Sequence, residues 1–340
     1  MSRANPEGAP TIRTVATRAG VSKSLVSLVL QNSPNVRPSR REAVLQAMAE
    51  LGYHPDHTAR SLAERRTRTV GVVLDDLENP WYVDLLAGLR SVLHEQGLRP
   101  LLADGHAEPD AVNAMAALRV EGLLLVGTPS DNTVSQVEEL GTSIPVVIAG
   151  TREPRLPRID GVANDDETGA RLATQHLLDL GHERIVHIVG EGAVGRIRCA
   201  AFEASMPASD GLARTVAGDW TEATGYGLAL QLLDRTDRPT AIFAANDLSA
   251  VGVLAAADEL GLRVPEDLSV IGYDNTVFAR LRRLSLTTVD AHIDEVGRVA
   301  GQLVLDRLDG TDESQQARVV PRLIGPTLVP RSSTAAVATH

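Results

Sequence analysis

Residues 12–31 read IRTVATRAGVSKSLVSLVLQ, and the spacing within this run decides the first part of the fold. Thr11 is placed to cap a short helix that carries Val15, Ala16 and Ala19 on one face. Gly20 ends that helix, because glycine takes the left-handed conformation at a helix C-terminus without a Cβ clash. Val21 fills the corner, Ser22 caps a second helix, and Val26 and Val29 face back toward the first. A small residue where two helices cross, a glycine at the turn and valines tying them together make the pattern of a helix-turn-helix. The second helix then leaves Lys23, Ser24, Ser27 and Leu28 outward, with Ser22 at its start. On such a face Lys23 reaches a base edge or a phosphate, and Leu28 a thymine methyl. A third helix is predicted from Pro38 to Leu51, with Ser39 and Glu42 as a capping box and Val44, Leu45, Met48 and Leu51 as its apolar stripe. Gly52 stops it, so one compact all-α domain is expected over 11–54, after a disordered N-terminus of residues 1–10.

Charge separates this module from the rest. Residues 1–68 hold 11 Lys and Arg against 5 Asp and Glu, whereas residues 69–340 hold 22 against 39. A basic module on an acidic body suits a nucleic-acid binder, because phosphate needs local positive charge and not a positive whole. The 340 residues leave room for two or three domains, and 43 % hydrophobic content is ample for their cores. No apolar run approaches the roughly 18 residues of a membrane span, and the N-terminus lacks the charged-then-apolar pattern of a signal peptide. Cys199 is the single cysteine, which permits no internal disulfide and no cysteine-built zinc site. The expectation is a cytoplasmic protein with no membrane partner, no cofactor and no metal.

From Val70 onward, short apolar runs alternate with amphipathic helices. Strands are predicted at Val70–Leu74, Arg99–Ala103, Gly122–Val126 and Pro145–Ile148, with a helix over Pro80–Gln96 capped by Asn79. A second series follows: helix Glu167–Leu180, strand Arg184–Val189, helix Thr221–Leu233, strand Ala241–Ala244, helix Asp247–Leu260 and strand Leu268–Gly272. Such alternation implies parallel sheets built from right-handed βαβ units, and two series imply two lobes with a ligand cleft at the strands' carboxyl ends.

TIRTVATRAGVSKSLVSLVL (11–30) and REAVLQAMAELGYHPDHTARSL (41–62) resemble the DNA-binding headpiece of the lactose-repressor/galactose-repressor family of bacterial transcription regulators. TRTVGVVLDDLENPWYVDLL (67–86), DDETGARLATQHLLDLGHERIVHIVG (165–190), GDWTEATGYGLALQLL (218–233) and SLTTVD (285–290) resemble the core of the same family, shared with periplasmic sugar-binding proteins. The resemblance implies an N-terminal all-α helix-turn-helix domain and an α/β periplasmic-binding-protein-like core of two parallel-sheet lobes. It also implies a hinge helix and linker over 55–68 and a core over 69–333, leaving a tail over 334–340. One lobe would comprise about 69–162 and 291–320, the other about 163–290 and 321–333. In the family the hinge, here Pro55–Ala63, folds on operator DNA in the minor groove; Leu62 would wedge a base step and Ala59 would let two hinge helices pack. Thr11, Arg37 and His54 join the DNA contacts by the same resemblance. A leucine at 25 and at 28 departs from the threonine and arginine common in the family, so operator sequence does not carry over.

The resemblance further implies a small sugar-like effector and a homodimer on double-stranded operator DNA. Arg198, in RCAAF, matches the family's effector arginine in R-x-x-G-F, with Ala201 in place of the glycine. Asn246, Asp247 and Asp274 close strands of the second series, and Trp220 in GDW is placed to stack on a ligand; Asp76, Asn79 and Trp81 on the first loop of the other lobe complete the set. An arginine, acids and an amide suit hydroxyl groups, and tryptophan covers an apolar sugar face. Gly150 stands where many relatives have aspartate.

Other chemistries fit less well. Gly190-Glu191-Gly192-Ala193-Val194-Gly195 satisfies G-x-G-x-x-G after a strand, but the helix that follows meets Pro207 early and Asp210 precedes the next strand. His182, Glu183 and His187 imitate a zinc motif with a spacing that puts them on no common face. The alternative is a non-regulatory sugar-binding protein, or an NAD-dependent enzyme, carrying an incidental basic head.

Overall fold

The structure, a computed structural model, describes residues 10–30, 33–53, 66–75, 77, 79–153, 156, 158–207, 213–310 and 321–337. The chain forms two compact units, Met1–Thr67 and Arg68–His340.

In the first unit, α1 (Ile12–Ala19) opens on a reciprocal cap: Thr11 Oγ1 accepts from the Thr14 amide at 3.3 Å and Thr14 Oγ1 accepts from the Thr11 amide at 2.8 Å. Gly20, at φ +65°, turns the chain, and the Val21 amide donates to the Ala16 carbonyl at 3.0 Å. Ser22 Oγ accepts from the Leu25 amide at 3.2 Å and so caps α2 (Lys23–Leu30). The third helix, α3 (Pro38–Leu51), corrects one expectation: Arg37 holds the cap position without a side-chain hydrogen bond, and Ser39 lies inside the helix. Pro38 explains the start, since proline fixes φ and lacks the amide that a cap would satisfy. Val15, Ala16, Val26, Val29, Val36, Val44 and Ala47 form the buried core. Leu45, assigned to the buried stripe, is 52 % exposed, because the inward face runs through Val44, Ala47, Met48 and Leu51. Arg18 pairs with Glu50 and ties α1 to α3. His54, Ala59, Leu62 and the expected hinge Pro55–Ala63 lie outside the described residues.

The second unit contains two parallel sheets. The first takes strands β1 (Thr69–Leu74), β2 (Arg99–Asp104), β3 (Gly122–Val126), β4 (Val146–Ala149), β5 (Asp160–Asn164) and β11 (Arg322–Ile324), in the order β11-β5-β4-β3-β1-β2. The second takes β6 (Ile185–Val189), β7 (Ala213–Ala217), β8 (Ala241–Phe243) and β9 (Ser269–Ile271), in the order β7-β6-β8-β9. Between β9 and β11 in the chain, β10 (Thr288–Asp290) pairs antiparallel with β12 (Thr327–Val329) where the chain crosses between lobes. The helices are α4 (Trp81–Glu95), α5 (Ala111–Ala117), α6 (Asp131–Leu140), α7 (Asp166–Asp179), α8 (Gly192–Ser205), α9 (Glu222–Leu233), α10 (Asp247–Glu259) and α11 (Ile293–Leu308).

Every predicted strand is present to within a residue or two, and β5, β7, β10, β11 and β12 are additional. Arg322–Ile324 pairs with Val162–Asn164, so this part of 321–333 completes the first sheet instead of joining the second lobe. The second lobe regains the chain at Ser333, whose amide carbonyl accepts from the Val270 amide at 2.8 Å. Residues 334–337 are docked there too: His176 Nε2 lies 2.9 Å from Thr334 Oγ1 and His182 Nε2 3.0 Å from the Ala335 carbonyl. One continuous core joins the lobes, from Leu85, Leu89 and Val296 to Ile185, Phe202 and Phe243. It holds the strand ends of both sheets toward a shared opening.

Candidate functional site

The carboxyl ends of the two sheets bound a cleft of about 710 Å³. Arg198, on α8, is its centre and is 4 % exposed. Its Nε and Nη2 both donate to Asp166 Oδ1 at 2.9 Å, and its Nη1 donates to the Ala245 carbonyl at 2.9 Å. The guanidinium carbon lies 3.5 Å from the centre of the Tyr273 ring and 5.4 Å from that of Trp220. Burial opposes charge on Arg198, but Asp166 and Asp274 more than offset this and hold its pKa above the ordinary arginine value.

Asp274 follows β9 at φ +102°, in the region that side chains rarely adopt. Asp274 lines the cleft, and its Oδ1 is buried, makes no hydrogen bond and lies 3.7 Å from Arg198 Nη2. Burial raises the Asp274 carboxyl to about 6.

Two tryptophans face the same space, Trp81 at the start of α4 and Trp220 before α9. Each rests on a glycine at a strand end. A Cβ on Gly150 would fall 2.8 Å from Trp81 Cη2, and one on Gly190 would fall 2.3 Å from Trp220 Cη2. A side chain at 150 would have to displace the Trp81 ring, and the φ of +86° there is itself one that side chains rarely adopt. Asn79 lines the cleft and also accepts the Trp81 amide at 3.0 Å, fixing the entry to α4; Pro80 takes the cap position expected for Asn79.

Two expected ligand residues stand elsewhere. Asn246 caps α10 through the Ser249 amide at 2.8 Å and donates to the Trp220 carbonyl at 3.1 Å, so it positions the tryptophan loop. Asp247 accepts the Thr276 amide at 2.6 Å, the Thr276 hydroxyl at 3.0 Å and the Thr288 hydroxyl at 2.6 Å. Neither lines the cleft. Burial and the neighbouring Asp274 push the Asp247 carboxyl up to about 7. Asp76 lies outside the described residues. The second acid beside Arg198 is instead Asp166, which sequence reasoning missed along with Tyr273. Asp166 reads as the acidic first turn of a helix, and Tyr273 as strand-end core.

The glycine-rich loop 190–195 rims this cleft through Glu191, Gly192 and Val194. His182 Nδ1 meets Thr240 Oγ1 at 3.0 Å, while His187 is buried in the second sheet with its ring stacked 4.2 Å from Phe243, so the histidines do not converge.

In the first unit, Lys23, Ser24 and Leu28 are exposed and Ser27 half-buried on the side of α2 opposite Val26 and Val29. Arg13, Arg18, Arg37 and Arg40 are exposed. Thr11 and Ser22 spend their hydroxyls on the helix caps.

Residues 11–56 match the family described as bacterial regulatory proteins, lacI family, and residues 174–334 match a periplasmic binding protein-like domain. The chain is 35 % identical to the HTH-type transcriptional repressor PurR of Erwinia tasmaniensis over 324 residues, covering 92 % of this chain and 95 % of that protein. Among solved structures it resembles the lac repressor dimer bound to operator and the anti-inducer ONPF, with a TM-score of 0.81, 30 % identity, and 96 % and 99 % of the two chains covered. It also resembles the complex of the transcriptional regulator CelR with cellobiose, with a TM-score of 0.68, 31 % identity, and 95 % and 99 % covered. No described helix is long and apolar enough to cross a membrane. Likeness on this scale runs through the helical head and the two-sheet core in the same order, and the chain belongs to the lacI family of bacterial regulatory proteins.

Proposed function

We propose that the protein is a ligand-responsive transcriptional repressor, a homodimer that binds a pseudo-palindromic operator in the bacterial cytoplasm and regulates carbohydrate genes. The observation that carries this reading is the pairing, in one chain, of a helix-turn-helix with a free polar face and a cleft flanked by two tryptophans around a buried arginine. Lys23, Ser24, Ser27 and Leu28 read bases in the major groove; Arg13, Arg18, Arg37 and Arg40 meet phosphates. Residues 55–63 pair between the half-sites, with Leu62 in the minor groove and Ala59 at the contact between the two segments. A small polyol with a flat apolar face binds between Trp81 and Trp220, with Asn79 and the Arg198–Asp274 pair as its polar partners. Cleft closure on that ligand is coupled to operator affinity by about 1–3 kcal/mol, a factor of roughly 5–150. Support comes from the relatives: one is a repressor by name, one was solved on its operator, and one holds a disaccharide. The chain acts as a binding protein and not as an enzyme.

The test is a footprint on genomic fragments followed by release with a carbohydrate panel. A dimer that neutralises about eight phosphates loses affinity with a log–log salt slope near −7. Absence of any preferred fragment, with or without metabolites, would overturn the reading.

A further inference from the structure

Five carboxylates line the cleft, those of Asp75, Asp104, Asp166, Glu191 and Asp274, against Arg198 as the single guanidinium or ammonium among the described lining residues. Arg198 is already committed. Its Nε and Nη2 are on Asp166 and its Nη1 on the Ala245 carbonyl, so it has little left to offer a phosphate. Helix N-termini are the other places where anions bind, through unpaired amides and the helix dipole. Those that open beside the cleft in the second lobe carry acids of their own: Asp165 caps α7 through the Thr168 amide, with Asp166 behind it, while Glu191 places a carboxylate at the start of α8 without a side-chain cap hydrogen bond. In the first lobe Asp104 Oδ1 takes the amides of His106 and Ala107 at 2.9 Å, and Asp75 Oδ2 takes the Thr128 amide at 2.9 Å. The amides of Thr128, His106, Ala107 and Thr168 are thus spent on the protein's own carboxylates, and at α8 the Glu191 charge opposes an anion directly. The acceptor left with least is Asp274 Oδ1, buried on a cleft-lining residue, with the 3.7 Å ion pair to Arg198 Nη2 and no hydrogen bond.

We propose that the cleft selects its ligand by charge, admitting an uncharged polyol or one bearing a protonated amine and refusing a phosphorylated or carboxylated one. This deepens the effector-cleft reading and rests on it. The physical reason is twofold. Walls of one sign, partly screened from water, hold a potential of several kT that repels anions. An incoming N–H or O–H donor also satisfies Asp274, which a phosphate oxygen cannot do. A protonated amine between Trp81 and Trp220 would further meet two ring faces.

Both tryptophans of the chain line this cleft, so its field can be read without knowing the ligand. Fluorescence of the full-length protein is quenched with caesium, iodide and acrylamide at constant ionic strength, with N-acetyltryptophanamide as the reference. The expected result is a caesium-to-iodide ratio about ten-fold above the reference, which falls in a variant combining Asp104→Asn, Glu191→Gln and Asp274→Asn. A ratio equal to the reference in the parent protein overturns the proposal, whatever the variant does. Calorimetric titration then compares glucosamine, glucose and glucose 6-phosphate, with the corresponding galactose series beside it. Tighter binding of a phosphorylated sugar than of its neutral partner, lost in Trp220→Ala, overturns charge selection and leaves the cleft as the effector site. Sugar binding that survives both Trp81→Ala and Trp220→Ala removes the cleft assignment itself, even if the quenching ratio stands.

Discussion

In the first unit Lys23, Ser24 and Leu28 stand exposed on a helix whose other face buries Val26 and Val29; in the second, Arg198, Asp166 and Asp274 are at most 5 % exposed. The two regions divide the tasks of folding and recognition differently. On α2 they belong to different side chains, so Lys23, Ser24 and Leu28 can change without disturbing the core. In the cleft the same side chains do both. Removing Arg198 would strand two buried carboxylates, so recognition and stability are tied there.

The sharpest way to break this contrast is Arg198→Ala. It is expected to cost the core about 3–5 kcal/mol, as removal of one member of a buried ion pair does, and to lower its melting temperature by about 10 °C. Effector response should vanish with it. An unchanged calorimetric transition would show that the cleft, like the head, separates recognition from stability. Val44→Ala tests the other side. Val44 is fully buried in a seven-residue core, and its truncation should cost about 2 kcal/mol. Operator binding should fall as the head unfolds, with the core transition unmoved, followed by circular dichroism and gel shift. Lys23→Ala should leave both transitions in place. It is expected to weaken operator binding about ten-fold, and a drop of about one in the salt slope would assign Lys23 to phosphate instead of base contact.

A smaller effect should follow pH. Asp274 at about 6 and Asp247 at about 7 hold protons in the folded chain that the unfolded chain, with carboxyls near 3.8, has released. Their contribution is therefore fully present at acid pH and is lost as pH rises through 6 and 7. His187, which burial lowers to about 4, acts in the opposite sense below its ordinary 6.5. The share of Asp274 is read as the stability difference between Asp274→Asn and the parent, which should move toward the variant by on the order of 1 kcal/mol between pH 5 and 7.5. A flat difference would mean that Arg198 already neutralises Asp274. The smallest effect is expected at the ion pair that joins the lobes, Arg280 Nη2 to Asp84 Oδ2 at 3.4 Å, with the two side chains 50 % and 34 % exposed. Asp84→Ala should change core stability by a few tenths of a kcal/mol, and a loss above 1 kcal/mol would make the pair a structural latch.

How much could be read in advance depended on sequence distance. Val15, Ala16, Gly20, Val21, Val26 and Val29 make their contacts within a turn or two of one another, so offsets alone gave the helix-turn-helix. Two details of α3 differ: its cap, where the proline at the first turn outweighs a side-chain cap, and Leu45, which the helix turns outward. In the cleft, Arg198 and Trp220 stand out through the short motifs RCAAF and GDW, and Asp274 through its place after a strand. Asn246 and Asp247 stand where a strand end is also a helix start, and their roles in the α10 cap and the Thr276–Thr288 cluster join residues up to 41 positions apart.

Local patterning by itself determined the helical head, the alternating strands and helices behind a two-sheet core, and the charge division between them. Those features rest on periodicities of a few residues, which any short window contains. Tertiary structure alone decided that Asp166 and not Asp247 meets Arg198, that Gly150 yields its space to Trp81, and that Arg322–Ile324 closes the first sheet. Each of these joins residues 32 to 160 positions apart, and what brings them together is the packing of a shared core across both lobes, which no short window of sequence contains.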